Sequence, residues 1–262
     1  MNRIDELFAK KKQHILSIYC TAGFPKLEDT IPLLESLQAH GADLAEIGMP
    51  FSDPLADGPV IQQSSVRALE NGMNLELLFL QLAHGRKNIR IPLILMGYLN
   101  PVLQFGMDRF VQSCARTGID GVILPDLPPM EYTRHYQGLF ESSGVHLIFL
   151  VTPETNLERI RQIDRLSKGF VYLVSASSTT GGQQDRAAVE RFLSRIGEMN
   201  LNNPVLTGFG IRDRDSFELA CRYGRGAIIG SAYIRAITDA PDLEKATARF
   251  MDELIGNKIG TP

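Results

Sequence analysis

Short apolar runs alternate with helical patterns along the whole of this 262-residue chain. The runs are rich in Val, Ile and Leu, which is typical of strands buried on both faces of a parallel sheet. Between them, apolar residues recur every three or four positions, as in residues 29–40, where Ile31, Leu34 and Leu37 share one face before Gly41. The runs that predict strands are residues 15–21, 43–47, 92–97, 121–124, 145–151, 170–174, 204–207 and 227–229.

Eight strand–helix units in a chain of this length fit a closed barrel better than an open sheet. We therefore predict an α/β fold, a single (β/α)8 barrel of the TIM-barrel class, with residues 1–262 forming one domain. The pattern adds an N-terminal amphipathic helix in residues 1–12 and two helical segments, 60–70 and 75–85, after the second strand. A short helix and a last helix, residues 243–255, follow the eighth strand.

Acidic residues gather where the second predicted strand ends. Alternation along this strand places Glu46 on one face, and the proline-rich loop that follows presents Asp53 and Asp57. In barrels of this kind the active site lies at the carboxyl ends of the strands, and two carboxyl groups there suit general acid–base chemistry. A structural ion pair for Glu46 and a helix-capping role for Asp57 remain the alternatives, and Asp53 fits a turn better than catalysis.

Glycines follow the last two predicted strands. Gly208–Phe209–Gly210 comes after the seventh, and Gly230–Ser231 opens a short helix after the eighth. Backbone N–H groups at such positions bind phosphate in this fold, because a missing side chain allows close approach. The pattern predicts a phosphate site, with tight turns as the simpler alternative.

Composition narrows the chemistry further. A net charge of −3 provides no basic field for nucleic acid, and three widely spaced cysteines favour a reducing compartment. The N-terminal residues lack the apolar core of a signal peptide and no apolar run is long enough to span a membrane, so we expect a cytoplasmic protein. No lysine or histidine cluster occupies the strand exits, which disfavours Schiff-base and metal-assisted lyases. We expect carboxylates to act on a phosphorylated substrate without a metal.

The stretch EIGMPFSDPLADGP at residues 46–59 resembles a signature of the tryptophan synthase alpha chains, and the similarity extends over essentially the whole sequence. Supporting pieces are YLNP at 98–101, LPDLP at 124–128, YLVS at 172–175, TG at 180–181, GFGI at 208–211 and GSA at 230–232. The resemblance implies cleavage of indole-3-glycerol phosphate to indole and glyceraldehyde 3-phosphate, with no cofactor in this chain. It also implies a β-chain partner that carries pyridoxal phosphate, in an α2β2 heterotetramer.

The resemblance assigns roles to individual residues. It makes Glu46 the general acid–base and Asp57 the second catalytic acid. It places Tyr172 beside the reacting centre and Tyr19 near the indole, with Thr180 meeting Asp57. The implied phosphate- and substrate-binding positions are Gly181, Gly208, Phe209, Gly210, Gly230 and Ser231.

One loop departs from the family pattern. Where the family often has arginine and glycine after the sixth strand, this sequence has Ala176 and Ser178. We expect residues 175–184 to form a lid, closed by Thr180, whose closure depends more on the partner chain than on ligand alone. Two other functions stay open: another phosphosugar-binding barrel enzyme, which the absent lysine and histidines disfavour, and a catalytically weak subunit that activates a β chain.

Overall fold

Parallel strands form a nearly closed barrel in the described part of the chain, which in this computed structural model comprises residues 1–174, 183–208 and 210–256. These residues contain nine strand segments: β1 (Ile15–Thr21), β2 (Leu44–Gly48), β3 (Leu93–Met96), β4 (Gly121–Ile123), β5 (His146–Ile148), β6 (Leu150–Val151), β7 (Val171–Val174), β8 (Val205–Gly208) and β9 (Gly226–Ile229). Their order in the sheet is β5-β4-β3-β2-β1-β9-β8-β7-β6. Thr180, Gly181, Phe209 and most of the predicted lid lie outside the described residues.

Helices surround this sheet. They are α1 (Arg3–Lys10), α2 (Thr30–Ala39), α3 (Pro59–Glu70), α4 (Leu75–Gly85), α5 (Leu99–Phe105), α6 (Met107–Thr117), α7 (Pro129–Glu131), α8 (Gln137–Ser143), α9 (Leu157–Leu166), α10 (Gln183–Glu198), α11 (Arg214–Tyr223), α12 (Ser231–Ile237) and α13 (Leu243–Ile255). A short 3₁₀ turn, Arg86–Asn88, follows α4, and a π-helical turn, Tyr132–Tyr136, joins α7 to α8. No helix in these ranges is both long and apolar enough to cross a membrane.

The predicted barrel is confirmed, including the extra helix α1, the pair α3 and α4 after β2, and the pair α12 and α13 after the last strand. Nine segments correspond to eight predicted strands because the fifth is interrupted at Phe149. The Phe149 N–H donates to Ser167 Oγ at 3.1 Å, while its carbonyl accepts from Tyr172 N at 3.1 Å. The first half of this strand therefore pairs with β4 and the second half with β7.

Two helical regions differ from what the sequence pattern predicts. The pattern predicts that residues 98–101 form the exit loop of the third strand, but α5 begins there, because the Asp126 carboxylate accepts from Leu99 N at 2.9 and 3.0 Å. This partner for the first helical N–H lies 27 residues away, so the local sequence does not reveal it. The pattern also predicts a helix from Ala187, whereas α10 begins at Gln183.

The amino end of the barrel is closed by α1 and a buried charge. Ile4 of α1 is fully buried, and the Asn2 amide donates to the carbonyl of Asp120 at 2.8 Å. The Asp120 carboxylate accepts from Arg86 Nη2, Arg3 Nη1 and Leu93 N, each at 3.0 Å. Several bonds to one buried carboxylate offset the cost of removing it from water.

The two arginines that share Asp120 should contribute unequally to stability. Arg86→Ala should lower the free energy of unfolding by about 3–5 kcal/mol, because the Arg86 side chain is 9% exposed and its loss leaves a buried charge short of a partner. Arg3→Ala removes the same kind of contact from a side chain that is 46% exposed, and should cost at most about 1 kcal/mol. Urea unfolding of both variants is the measurement; equal losses would contradict this ranking.

Candidate active site

Glu46 lies inside the barrel, in the middle of β2, between Tyr19 on β1 and Ile94 on β3. Its side chain is fully buried. Oε1 accepts a hydrogen bond from Ser17 Oγ at 3.3 Å, and Oε2 has no partner among the described residues. Burial raises the pKa of Glu46 to about 8, and the Ser17 hydrogen bond only partly opposes this shift. Glu46 is therefore an acid that stays protonated at neutral pH.

Asp57 lies in the loop between β2 and α3 and is held by Tyr98. The Tyr98 hydroxyl donates to Asp57 Oδ2 at 3.0 Å and accepts from Ala56 N at 2.9 Å. Burial raises the pKa of Asp57 to about 6, against the lowering effect of Tyr98. The capping alternative is wrong, because the N-cap residue of α3 is Gly58 and no side chain caps it.

Tyr19 and Tyr172 extend across the barrel interior, and the hydroxyl of each lies close to a glycine. A Cβ on Gly48 would lie 1.9 Å from the Tyr19 hydroxyl oxygen, and one on Gly208 would lie 2.2 Å from that of Tyr172. Both tyrosines are at least nine-tenths buried. Burial raises both tyrosine pKa values, and the negative charges of Glu46 and Asp57 raise them further. The two acids and the two rings therefore share one interior space.

A small pocket lies beside this space, at the carboxyl ends of the strands. Its lining combines apolar side chains with the polar groups of Asp57, Ser65 and Tyr98. The lining residues include Tyr19, Met49, Phe51, Asp57, Met96, Tyr98 and Pro125. The described residues contain no group of three or more His, Cys, Asp or Glu side chains that could hold a metal ion.

The described glycines of the predicted phosphate site end two neighbouring strands. Gly208 is the last residue of β8, and Gly230 is the residue before α12, which Ser231 begins. Gly210 has a φ of +75°, which favours glycine, and no atom of the described residues, its chain neighbours aside, lies within 4 Å of a Cβ placed on it. A Cβ on Gly230 would lie 3.5 Å from the Cβ of Tyr19, so these backbones border the space that holds the two acids.

The chain matches the family model described as tryptophan synthase alpha chain over residues 6–258. The chain belongs to the tryptophan synthase alpha chain family. It is 48% identical over 255 residues to the Bacteroides thetaiotaomicron tryptophan synthase alpha chain, covering 97% of this chain and 100% of that relative. It is 51% identical over 240 residues to that of Flavobacterium psychrophilum, covering 91% of this chain and 94% of the relative.

Solved structures show the same likeness. Tryptophan synthase subunit alpha from Legionella pneumophila is similar with a TM-score of 0.88 and 34% identity, covering 97% of each chain. A chain of the aminoacrylate-bound tryptophan synthase from Mycobacterium tuberculosis is similar with a TM-score of 0.84 and 28% identity, covering 97% of this chain and 100% of that one. The chain is accordingly an indole-3-glycerol phosphate lyase, which releases indole and glyceraldehyde 3-phosphate, in a family whose alpha chains need no cofactor.

The sequence pattern does not predict two contacts of this site. It includes Tyr98 only within YLNP at 98–101, although the Tyr98 hydroxyl holds Asp57. Ser17 bonds to Glu46, and its one signal in the sequence is that it is a polar residue in the otherwise apolar run at 15–21. Asp53 is exposed, with Ser52 donating to its carboxylate, which fits the expected turn role.

The folding stability should depend on the ionisation of Glu46. Between the ordinary pKa of 4.5 and the folded value of about 8, the folded chain keeps a proton that the unfolded chain has released. The unfolded state binds fewer protons, so Glu46 reduces stability as pH rises through this window, by at most about 1.4 kcal/mol per pH unit.

Glu46→Gln should remove that dependence. From pH 5 to pH 8, the free energy of unfolding of this variant should therefore increase relative to that of the wild type. Denaturant unfolding across this range is the measurement, and Glu28→Gln, at an exposed position, is the control. A constant difference between Glu46→Gln and the wild type at every pH would contradict the raised pKa.

Proposed function

We propose that Glu46 is the general acid and then the general base of the cleavage. The observation that supports this most is a buried carboxyl group, protonated at neutral pH, with one oxygen that has no hydrogen-bonding partner among residues 1–174, 183–208 and 210–256. Protonated Glu46 gives its proton to C3 of the indole ring, which turns the ring into a leaving group. Ionised Glu46 then takes the proton of the side-chain hydroxyl while the carbon–carbon bond breaks. The electron pair returns to the ring, and the products are indole and an aldehyde.

Asp57 stabilises the intermediate of this reaction. With a pKa of about 6 it is mostly ionised at pH 7, whereas Glu46 is mostly protonated. A carboxylate that accepts the indole N–H stabilises the positive charge that develops when C3 is protonated. Tyr98 fixes the direction of this carboxylate by its hydrogen bond to Oδ2. Thr180 is the further partner that we assign to Asp57.

Tyr19 and Tyr172 form the walls that receive the indole ring. Both are buried aromatic side chains, and both interact electrostatically with the two acids. Flat apolar walls suit a bicyclic aromatic ring and exclude water from the charged intermediate.

The phosphate binds to the main chain at Gly208, Gly210, Gly230 and Ser231, with Gly181 and Phe209 completing the site. Gly210 supports this because it is exposed and has a positive φ, the backbone conformation found where successive N–H groups bind an anion. The proximity of Gly230 to Tyr19 allows one substrate to reach the phosphate site and the indole walls together.

Glu46→Gln should abolish cleavage and leave the fold intact. A glutamine can neither donate nor accept the transferred proton, so indole release should fall by roughly 10²–10⁴-fold. The measurement is indole formation from indole-3-glycerol phosphate, with and without a β chain, with Glu28→Gln as the surface control. The circular dichroism spectrum and glycerol phosphate binding should remain close to those of the wild type. Near-normal indole release by the folded Glu46→Gln variant would remove Glu46 from this role.

Gly210→Ala should weaken substrate binding without a comparable loss of turnover. The added methyl group blocks backbone approach to the phosphate, so KM should rise by about tenfold, which corresponds to about 1.4 kcal/mol. Gly144→Ala is a matched control: its φ of +72° is close to that of Gly210 (+75°), and a Cβ at either position meets no atom of the described residues within 4 Å. Gly144 precedes β5, at the opposite end of the barrel from the site. Equal KM changes in the two variants would place the phosphate elsewhere.

We also propose that the chain is one catalytic domain, residues 1–262, that works in the cytoplasm with a pyridoxal-phosphate-containing β chain as an α2β2 heterotetramer. Adjacent pairing of β1 with β9, from opposite ends of the chain, supports the single domain.

Sedimentation of the chain mixed with a β chain should give a four-chain species; two species that sediment independently would refute the partnership.

A further inference from the structure

Ser17 is the single hydrogen-bonding partner of the Glu46 carboxyl group among the described residues. It lies on β1 opposite Leu44, two residues before Tyr19, which lies opposite Glu46. Side chains two apart on a strand point to the same face, so Ser17 and Tyr19 both face the barrel interior. The Glu46 side chain leans back along the strand direction, and its Oε1 is 3.3 Å from Ser17 Oγ.

Burial of the Ser17 hydroxyl costs free energy, which its hydrogen bond to Glu46 offsets. Ser17 is fully buried, and a buried hydroxyl without a hydrogen bond is unfavourable. Its donor is directed to a carboxyl oxygen, and this is the single side-chain hydrogen bond of Ser17 among the described residues. The bond occupies Oε1 and leaves Oε2 without a hydrogen-bonding partner in the part of the chain that the structure describes.

We propose that Ser17 is a positioning residue for the cleavage reaction, which holds Oε1 so that Oε2 meets the substrate and stabilises the ionised form of Glu46 after it gives up its proton. This rests on the proposed role of Glu46. A hydroxyl donor stabilises a carboxylate more than a neutral carboxyl group, so it eases proton release from a group that burial holds protonated.

The surroundings of Glu46 allow this effect to be measured. The titratable groups that interact electrostatically with Glu46 are Tyr19 and Cys20 of β1 and Tyr172 of β7. Burial holds the pKa of Cys20 at about 12 and raises those of both tyrosines, so all three stay neutral from pH 6 to pH 9. The neighbour from β3, Ile94, carries no charge. A titration in this range therefore reports Glu46, with Asp57 titrating at lower pH.

The direct test is the titration of Glu46 itself, followed by the ¹³C signal of its carboxyl carbon and assigned by its loss in Glu46→Gln. In Ser17→Ala the apparent pKa should rise by about one unit, because one hydrogen bond to the charged form is lost. Ser17→Thr keeps the hydroxyl on a strand position that suits a β-branched residue, and should titrate like the wild type. Ser36→Ala, which removes a buried hydroxyl from α2, is the control and should change nothing.

Kinetics should follow the titration. In Ser17→Ala the alkaline limb of kcat/KM should move to higher pH by the same interval, and kcat should fall about three- to tenfold, because the acid is weaker. KM should stay near the wild-type value, since in this scheme the Ser17 side chain bonds to Glu46 and not to the phosphate. Ser17→Thr should restore both the wild-type position of the alkaline limb and the wild-type kcat. A purely structural role of the hydroxyl would not require this.

The outcomes separate this proposal from that for Glu46. An unchanged Glu46 titration in folded Ser17→Ala overturns the role of Ser17, whatever the activity. Full activity of Glu46→Gln overturns the mechanism, while the titration still shows whether Ser17 bonds to Glu46. If Ser17→Ala does not fold, Ser17→Cys takes its place, and its weaker thiol donor should give a rise in pKa between those of the other two variants.

Discussion

Alternation of side chains along parallel strands is the constraint on which this site depends. The register that sets Tyr19 opposite Glu46 puts both on the inner face of the barrel, and the pairing across the sheet brings Tyr172 to the same space. A shift of one residue in β2 would turn Glu46 out towards the helices and replace it with an aliphatic side chain. Gly48 and Gly208 complete this layout, because any Cβ there would collide with a tyrosine hydroxyl.

The buried acidic groups at the two ends of the barrel differ in how fully they are hydrogen-bonded. At the amino end Asp120 is satisfied by two arginines and a backbone N–H, which is the pattern of a group that serves stability. In the interior towards the carboxyl end, Glu46 has one weak partner and an Oε2 with none among the described residues, and Asp57, beyond the end of β2, has Tyr98. Poorly satisfied acids lower the stability of the fold, so their position here accords with a chemical role.

The barrel could be predicted from the sequence because buried parallel strands give continuous apolar runs. Glu46 could be predicted as a site residue because a carboxyl group in such a run has few structural explanations. The contacts that depend on distant residues could not be predicted in this way. Helix α5 begins where Asp126 accepts from Leu99, and the fifth strand is interrupted where Ser167 accepts from Phe149. Each of these bonds joins residues that only the closed barrel brings together.

The weakness of the Ser17 bond suits the two steps required of Glu46. A strong donor set, such as that around Asp120, would hold Glu46 ionised at neutral pH and remove the proton needed for the first step. No donor at all would make proton release harder, because the carboxylate would be both buried and unpaired. A single hydroxyl at 3.3 Å lies between these extremes, and the pKa of about 8 reflects that balance. Asp57 has a closer donor, at 3.0 Å, and more contact with water, so it is ionised at the pH where Glu46 is protonated. One barrel therefore holds both a proton-donating acid and a carboxylate.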